Sequence, residues 1–225
     1  GELEQVRQFV CESMESYEFR KAHLALFDFC NDTLSSKYCV AMKDRLYCDR
    51  PDSPRRVRAQ AVMRHVAEEL CRLLSPILPH TADEAWRTMH GEEACVLFET
   101  IDRAPVERAI DAGWAAAMDL REHALRALET AKSRGIEKSL DAGLVVPDPD
   151  GVLSSLTEDL RDLLEVSRLT CDPAATEVGV VDLREEPVCA RSWRRDDTVA
   201  ERANGAWLSD RDWHAVEDWE PVFTS

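Results

Sequence analysis

The sequence predicts a mainly α fold: an antiparallel helical bundle, then a small α/β unit, then a compact C-terminal appendage. Three observations predict it. Apolar residues recur at three- and four-residue spacing through most of the first ninety positions, as amphipathic helices require. Near residue 140 the pattern changes to short apolar runs bounded by Pro, Gly and Asp, which read as strands and turns. From about residue 185 onward the chain is rich in Trp, Arg and Asp with no clear period.

Leu3, Val6, Phe9, Val10, Met14 and Tyr17 define a first helix over residues 3–17. A longer second helix is expected from about Glu18 to Cys48, through His23, Leu26, Phe27, Cys30, Leu34, Tyr38, Ala41 and Met42. Asp49 to Pro54 is a loop. The third helix carries Val57, Ala61, Val62, Val66, Leu70, Leu73 and Leu74 on one stripe. Ser53 can cap it, and Pro54 suits a first turn, where no backbone donor is missed. Pro76 ends it, because proline lacks the amide hydrogen and clashes with the preceding turn. In the corner SPILPHTADEAW (75–86), Thr81 to Glu84 has the pattern of a capping box, and Asp83 and Glu84 suit the positive end of the new helix. Trp86 falls on its first full turn and Gly91 is a natural stop. Four helices joined by short turns read as an antiparallel bundle.

An irregular stretch holding Pro105 runs to about Gly113. Trp114 to Ala131 is then helical, with Trp114, Ala117, Met118, Leu125 and Leu128 on one face and an end near Gly135. LDAGLVVPDPDG reads as a strand and turn, LSSLTEDLRDLL as a helix with Ser154 or Thr157 near its start, and EVSRLTC as a second strand. The expected domains are 1–100, 101–178 and 179–225.

Composition narrows the function classes. With 225 residues, 44% of them hydrophobic, the chain can bury a real core, which argues against wholesale disorder. It has no run of about 20 apolar residues to span a membrane and no signal segment. It opens Gly-Glu-Leu rather than with Met, as a piece of something longer would. The eight cysteines form no C-x-x-C pair and fall mostly in helical patterns, as buried thiols of a reducing cytoplasm do. A net charge of −16 argues against a generic nucleic-acid binder, but Lys37 to Arg72 is locally basic. That island reads either as a solvated helix face or as a phosphate-contacting surface. Arginine supplies 23 of the 28 basic residues, which fits a salt-rich cell interior or a GC-rich genome equally.

Catalytic chemistry is not visible. There is no Gly-rich phosphate loop and no H-E-x-x-H, and the six histidines are isolated, with His23 and His65 reading as core or rim residues. The Asp83/Glu84 pair is accounted for by the helix start rather than by a catalytic dyad. Nothing assembles a nucleophile, a base and an oxyanion site.

One resemblance is specific. FCNDTLSSKYCVAMKDRLYCDRPDSPRRVRAQ, followed by PILPHTADEAW, resembles the anticodon-binding bundle of isoleucyl-tRNA synthetases. Lys43-Asp-Arg-Leu-Tyr47, Arg55-Arg56 with Gln60, and the Pro-Ile-Leu-Pro corner match in order and spacing. ALRALETAKSRGIEKSLDAGLVV is similar to the junction that follows, so the likeness covers about residues 1–172. Valyl and leucyl enzymes share the bundle, but the K-D-R-x-Y element fits the isoleucyl family better. The end of the chain departs from the pattern. Where that family has zinc-binding cysteine pairs, this chain has Cys189 and Ser192, then Ser209 and Asp212. A structural zinc site needs four good ligands, so a degenerate zinc ribbon is expected, held by Trp193, Trp207 and Trp213 in place of metal.

The resemblance implies a bundle that holds the anticodon stem of an isoleucine tRNA and an appendage that touches its loop. Lys43, Arg45, Arg55 and Arg56 could contact the stem, with ion pairing to neighbours such as Asp44 and Asp52 as the alternative. Trp193, Arg194 and Arg195 offer a stacking plane beside two cations, as unstacked loop bases require; for Trp193 the alternative is a buried anchor. The His-Ile-Gly-His and Lys-Met-Ser-Lys-Ser signatures of the family are absent, so this chain alone is expected to be inactive. ATP, Mg2+ and the catalytic domain would belong to an upstream part of the same polypeptide. A free-standing or repurposed paralogue, and the same region of a valyl or leucyl enzyme, are the competing readings.

Overall fold

The computed structural model describes residues 1–103, 112–203 and 205–217. It is mainly helical with small sheets. The chain divides into two compact units, Gly1–Lys37 with Arg58–Ala109, and Tyr38–Val57 with Ile110–Ser225. Pro105 and the last eight residues lie outside the described residues.

In the first unit, α1 (Glu2–Glu15) packs along α2 (Phe19–Asp28). Tyr17 makes the reversal between them in the left-handed region (φ 58°), and the Glu18 amide donates to the Ser13 carbonyl at 2.8 Å. Val10, Ala22, Leu26 and, from α4, Leu73 form the core, with Val6, Met14 and Leu70 packed against it. These are positions that helical spacing assigns to one face. The expected second helix is not uniform, however. Phe29–Cys39 widens into a π-helical segment before α3 (Val40–Tyr47) resumes the tighter turn. Phe29, Leu34 and Tyr38 recur at five and four residues, closer to the wider turn than to 3.6.

α4 (Pro54–Leu74) starts on Pro54 as expected, but the Ser53 hydroxyl donates to Asp49 Oδ2 at 3.3 Å. The second half of its expected stripe, Val66, Leu70, Leu73 and Leu74, is on the packed face, but the first half is not. Ala59, Val66, Glu69, Cys71 and Leu73 are buried, whereas Val57, Ala61 and Val62 are exposed. Glu69 enters the buried face because Arg72 donates to it at 2.7 Å. At the corner α4 stops at Leu74, and α5 (Pro79–His90) begins with Pro79 in its first turn. The capping box at Thr81 does not form. Thr81 lies exposed inside the helix, because proline starts the helix two residues earlier. Asp83 serves the fold differently, accepting from the Val96 amide at 3.1 Å and from Arg87 Nε at 2.7 Å. Trp86 is buried with Cys71, Ala82 and Val96, under Arg72 and stacked on His90. Gly91 ends α5 with φ 97°, the stop expected of it.

In the second unit, α6 (Ala112–Lys132) packs on a three-stranded sheet. Its buried stripe is Ala117, Leu120, Ala124, Leu128 and Ala131, while Trp114 and Leu125, expected inside, are exposed. The alanines allow close approach to the sheet. β1 (Ala142–Pro147) runs parallel to β2 (Arg168–Asp172), with α7 (Thr157–Leu163) between them in sequence, and antiparallel to β3 (Gly179–Asp182). The C-terminal part adds β4 (Ala200–Glu201), β5 (Trp207–Leu208) and α8 (Asp210–His214) around Cys189, Val199 and Leu208. Among the tryptophans expected to hold this part, only Trp213 packs on that cluster; Trp193 and Trp207 are exposed. All eight cysteines are free thiols, and among the described residues no helix is long and apolar enough to cross a membrane.

Candidate nucleic-acid interface

The second unit gathers most of the residues that the sequence singled out, and it does so around two carboxylates, Asp162, which is buried, and Asp44, which is partly buried. Asp162, on the buried side of α7, has a fully buried side chain. Arg45 Nε and Arg55 Nη2 donate to its Oδ2 at 2.7 and 2.9 Å, and Arg194 Nη2 donates to Oδ1 at 2.9 Å. Arg45 also pairs with Asp159, and Arg55 with Glu158 at 2.9 Å. Asp44, one turn from Tyr47 on α3, accepts two bonds from Arg211 and lies 3.4 Å from Arg194 Nε. Burial pushes the Asp44 carboxyl up, but the Arg211 bonds with the charges of Arg194, Arg211 and Arg161 outweigh it and hold it at about 2. Asp49, which faces Arg55 and Arg211, is instead raised by burial. Arg161 is lowered, first by burial and then by Arg194 beside it.

Five of the seven expected contact residues are therefore engaged inside the protein. Arg45, Arg55 and Arg194 hold Asp162; Arg56 donates to the Asp49 carbonyl at 2.9 Å. Arg195 donates to Asp141 Oδ1 at 2.7 and 2.9 Å and to the carbonyls of Arg184 and Glu186. Lys43 and Trp193 face outward. Trp193 is 70% exposed with φ 61°, a left-handed backbone that a bulky residue rarely adopts, so it is not a buried anchor.

Lys43 and Trp193 line one cavity of about 450 Å3, together with Tyr47, Arg191, Asp44 and Arg194. Tyr47 is 74% exposed. The cavity thus carries two aromatic faces and two outward cations over a floor of paired charges. Arg191 Nη2 also donates to the Tyr47 carbonyl at 2.7 Å, which ties the end of α3 to the 189–194 turn. Sequence reasoning missed Tyr47 and Arg191 as lining residues, although both stand inside the motifs it quoted, K-D-R-L-Y and C-A-R-S-W. It missed Asp162 and Arg211 for a different reason: nothing local marks their distant partners, Arg45 and Arg55 for the first and Asp44 for the second, each more than a hundred residues away.

The four positions compared with zinc ligands do converge. Cys189 Sγ, Ser192 Oγ and Ser209 Oγ lie 2.8, 2.5 and 3.1 Å from Asp212 Oδ2. One thiol, two alcohols and one carboxylate already bonded to one another do not fit zinc, which takes thiolates, imidazoles or free carboxylates. Among the described residues no group of three or more His, Cys, Asp or Glu is placed to hold a metal ion.

Residues 1–145 match the model of the anticodon-binding domain of tRNA ligases. Among curated proteins, the isoleucine–tRNA ligase of Bacillus mycoides (strain KBAB4) is 34% identical over 221 residues, covering 90% of this chain and 24% of that protein. The isoleucine–tRNA ligase of Streptococcus sanguinis (strain SK36) is 34% identical over 237 residues, covering 97% and 25%. That of Brachyspira hyodysenteriae (strain ATCC 49526 / WA1) is 31% identical over 205 residues, covering 84% and 22%. The chain spans about a quarter of the length of the curated relatives it matches.

Proposed function

We propose, from the premise that this chain belongs to the family of anticodon-binding domains of tRNA ligases, that it binds the anticodon stem-loop of an isoleucine tRNA. The observation that carries this is the joint match: the family model over residues 1–145 and isoleucine–tRNA ligases over most of the chain. In this reading the whole polypeptide attaches isoleucine to its tRNA with ATP and Mg2+, held by a catalytic domain outside this chain, in the cytoplasm. This chain alone does not activate the amino acid. The parts are an antiparallel anticodon-binding bundle (1–100), a junction unit (101–178) and a degenerate, zinc-free ribbon (179–225).

Exposure and pairing support a division of work among the site residues. Trp193 stacks an unpaired loop base, and Lys43 meets a backbone phosphate, since these two face outward. Arg45, Arg55, Arg56, Arg194 and Arg195 serve the same site by positioning, because their guanidiniums hold Asp162, Asp141 and backbone carbonyls. The loss of the thiols at 192, 209 and 212 favours a second reading, a repurposed paralogue with another partner. Nuclease footprinting of an isoleucine tRNA transcript tests the first. Protection confined to the anticodon arm supports it; protection of the acceptor arm alone, or of no part, contradicts it.

A further inference from the structure

The C-terminal part of the second unit brings together Cys189, Ser192, Ser209 and Asp212, the four residues compared with zinc ligands. Two turns face each other. In the first, the Cys189 amide donates to the Arg194 carbonyl at 2.9 Å and the Trp193 amide to the Cys189 carbonyl at 2.9 Å, so residues 189–194 fold back tightly. In the second, Ser209 caps α8, accepting from the Asp212 amide at 3.3 Å. The Ala190 amide donates to the Trp207 carbonyl at 2.8 Å, and the Ser209 amide points at Cys189 Sγ at 3.5 Å, which joins the two turns. Between them sits the Asp212 carboxylate, with no exposed surface.

We propose that the Asp212 carboxylate is a built-in replacement for a structural metal, closing the two turns by accepting hydrogen bonds from Cys189, Ser192 and Ser209. An ionised carboxylate offers about four acceptor positions. Oδ2 takes the thiol and both hydroxyls, and Oδ1 takes Arg211 Nη2 at 3.0 Å, so four donors, one of them a cation shared with Asp44, close on one carboxylate. The three donor atoms lie 2.5 to 3.1 Å from one oxygen, which therefore sits where the three side chains converge. Zinc to sulfur is only about 2.3 Å, so hydrogen bonds fill the same space with a slightly wider shell.

Two consequences separate this centre from a zinc-loaded ribbon. Its strength does not depend on free metal. It is also wired to the rest of the unit, because Arg211, which bonds Asp212, also bonds Asp44 on α3. Trp193 directly follows Ser192, so the same carboxylate fixes the turn that displays the exposed indole. The centre stands whether or not the chain binds tRNA.

Hydrogen exchange and metal analysis on the full chain test the proposal together. The wild type, grown and purified with added zinc, is expected to carry no stoichiometric zinc, and neither zinc nor a chelator should change its exchange at 189–214. Asp212→Ala should speed exchange there roughly tenfold to a hundredfold, since three donors and a guanidinium lose their acceptor. The triple variant Ser192→Cys, Ser209→Cys, Asp212→Cys places four thiols at the convergence point. It should bind one zinc per chain, with 189–214 protected in zinc and unprotected in chelator. Should Asp212→Ala not fold, the triple variant decides alone. Stoichiometric zinc in the wild type, unchanged exchange in Asp212→Ala, or a triple variant that takes up no zinc would each overturn the proposal.

Discussion

Both units have an aliphatic core, but the second adds a join of another kind. In the first, Val10, Ala22, Leu26 and Leu73 meet without a polar atom among their side chains. In the second, α3, α7 and the C-terminal part meet through Asp162 and Asp44, each ringed by guanidiniums. An aliphatic core tolerates exchange of one apolar shape for another. A buried charge cluster tolerates the loss of one member poorly, because the remaining charges stay buried with fewer partners. The first kind of contact is general; the second fixes which parts may join and in what register.

The contrast can be broken or sharpened by substitution. Asp162→Ala should cost about 3–5 kcal/mol, because Arg45, Arg55 and Arg194 lose a shared partner. Urea unfolding followed by circular dichroism measures it; a loss below about 1 kcal/mol would show that the cluster is solvated enough to be dispensable. Leu26→Ala, in the aliphatic core, should cost about 2–4 kcal/mol by the same assay, through lost burial and a cavity. The sharper difference is salt. Raising ionic strength should leave the Leu26→Ala loss unchanged and reduce the Asp162→Ala loss only slightly, since the pairs are buried.

Acid probes the second carboxylate. Asp44 is held at about 2, below its ordinary value near 4, so its contribution is complete above pH 4 and disappears as pH falls through 2. A depression of that size is worth about 2 kcal/mol. Urea midpoints between pH 5 and pH 2 should therefore fall more steeply for the wild type than for Asp44→Asn. Asp49 acts in the opposite sense, its carboxyl being raised chiefly by burial and in smaller part by the Asp44 charge, so Asp44→Asn lessens that opposing effect and narrows the difference between the curves. Parallel curves would contradict the account of Asp44.

What was legible in the sequence follows the same division. Helical spacing reveals apolar faces, so α1, α2 and the core around Leu26 and Leu73 were readable, as were Pro54, Pro76 and Gly91 at helix ends. The strand–helix–strand run at 142–172 was readable from its change of period. The errors came where local signals compete. Pro79 pre-empted Thr81 as the start of α5, the 29–39 segment widened into a π-helix, and Ala59 and Ala124 took buried places where Val57, Val62, Trp114 and Leu125 were expected. The site was legible only in part. The sequence marked Arg45, Arg55 and Arg194 as notable, but their partner Asp162 is distant in the chain, so pairing and solvent exposure could not be told apart. For the same reason Trp193 could be read as anchor or as display, and only its 70% exposure decides.

Two smaller effects concern binding. Trp193→Ala should weaken tRNA binding by about 1–3 kcal/mol, the worth of one base-stacking plane, with the urea midpoint unchanged. Loss of stability instead would return Trp193 to a packing role. Lys43→Ala should have the least effect, lowering affinity uniformly across tRNA sequences and reducing the salt slope by about one.

The most direct test of the central claim is the affinity of the purified chain for isoleucine and valine tRNA transcripts, by fluorescence anisotropy at two salt concentrations. The account predicts tighter binding to the isoleucine transcript that weakens as salt rises. Equal binding to both transcripts, or binding indifferent to salt, would contradict it.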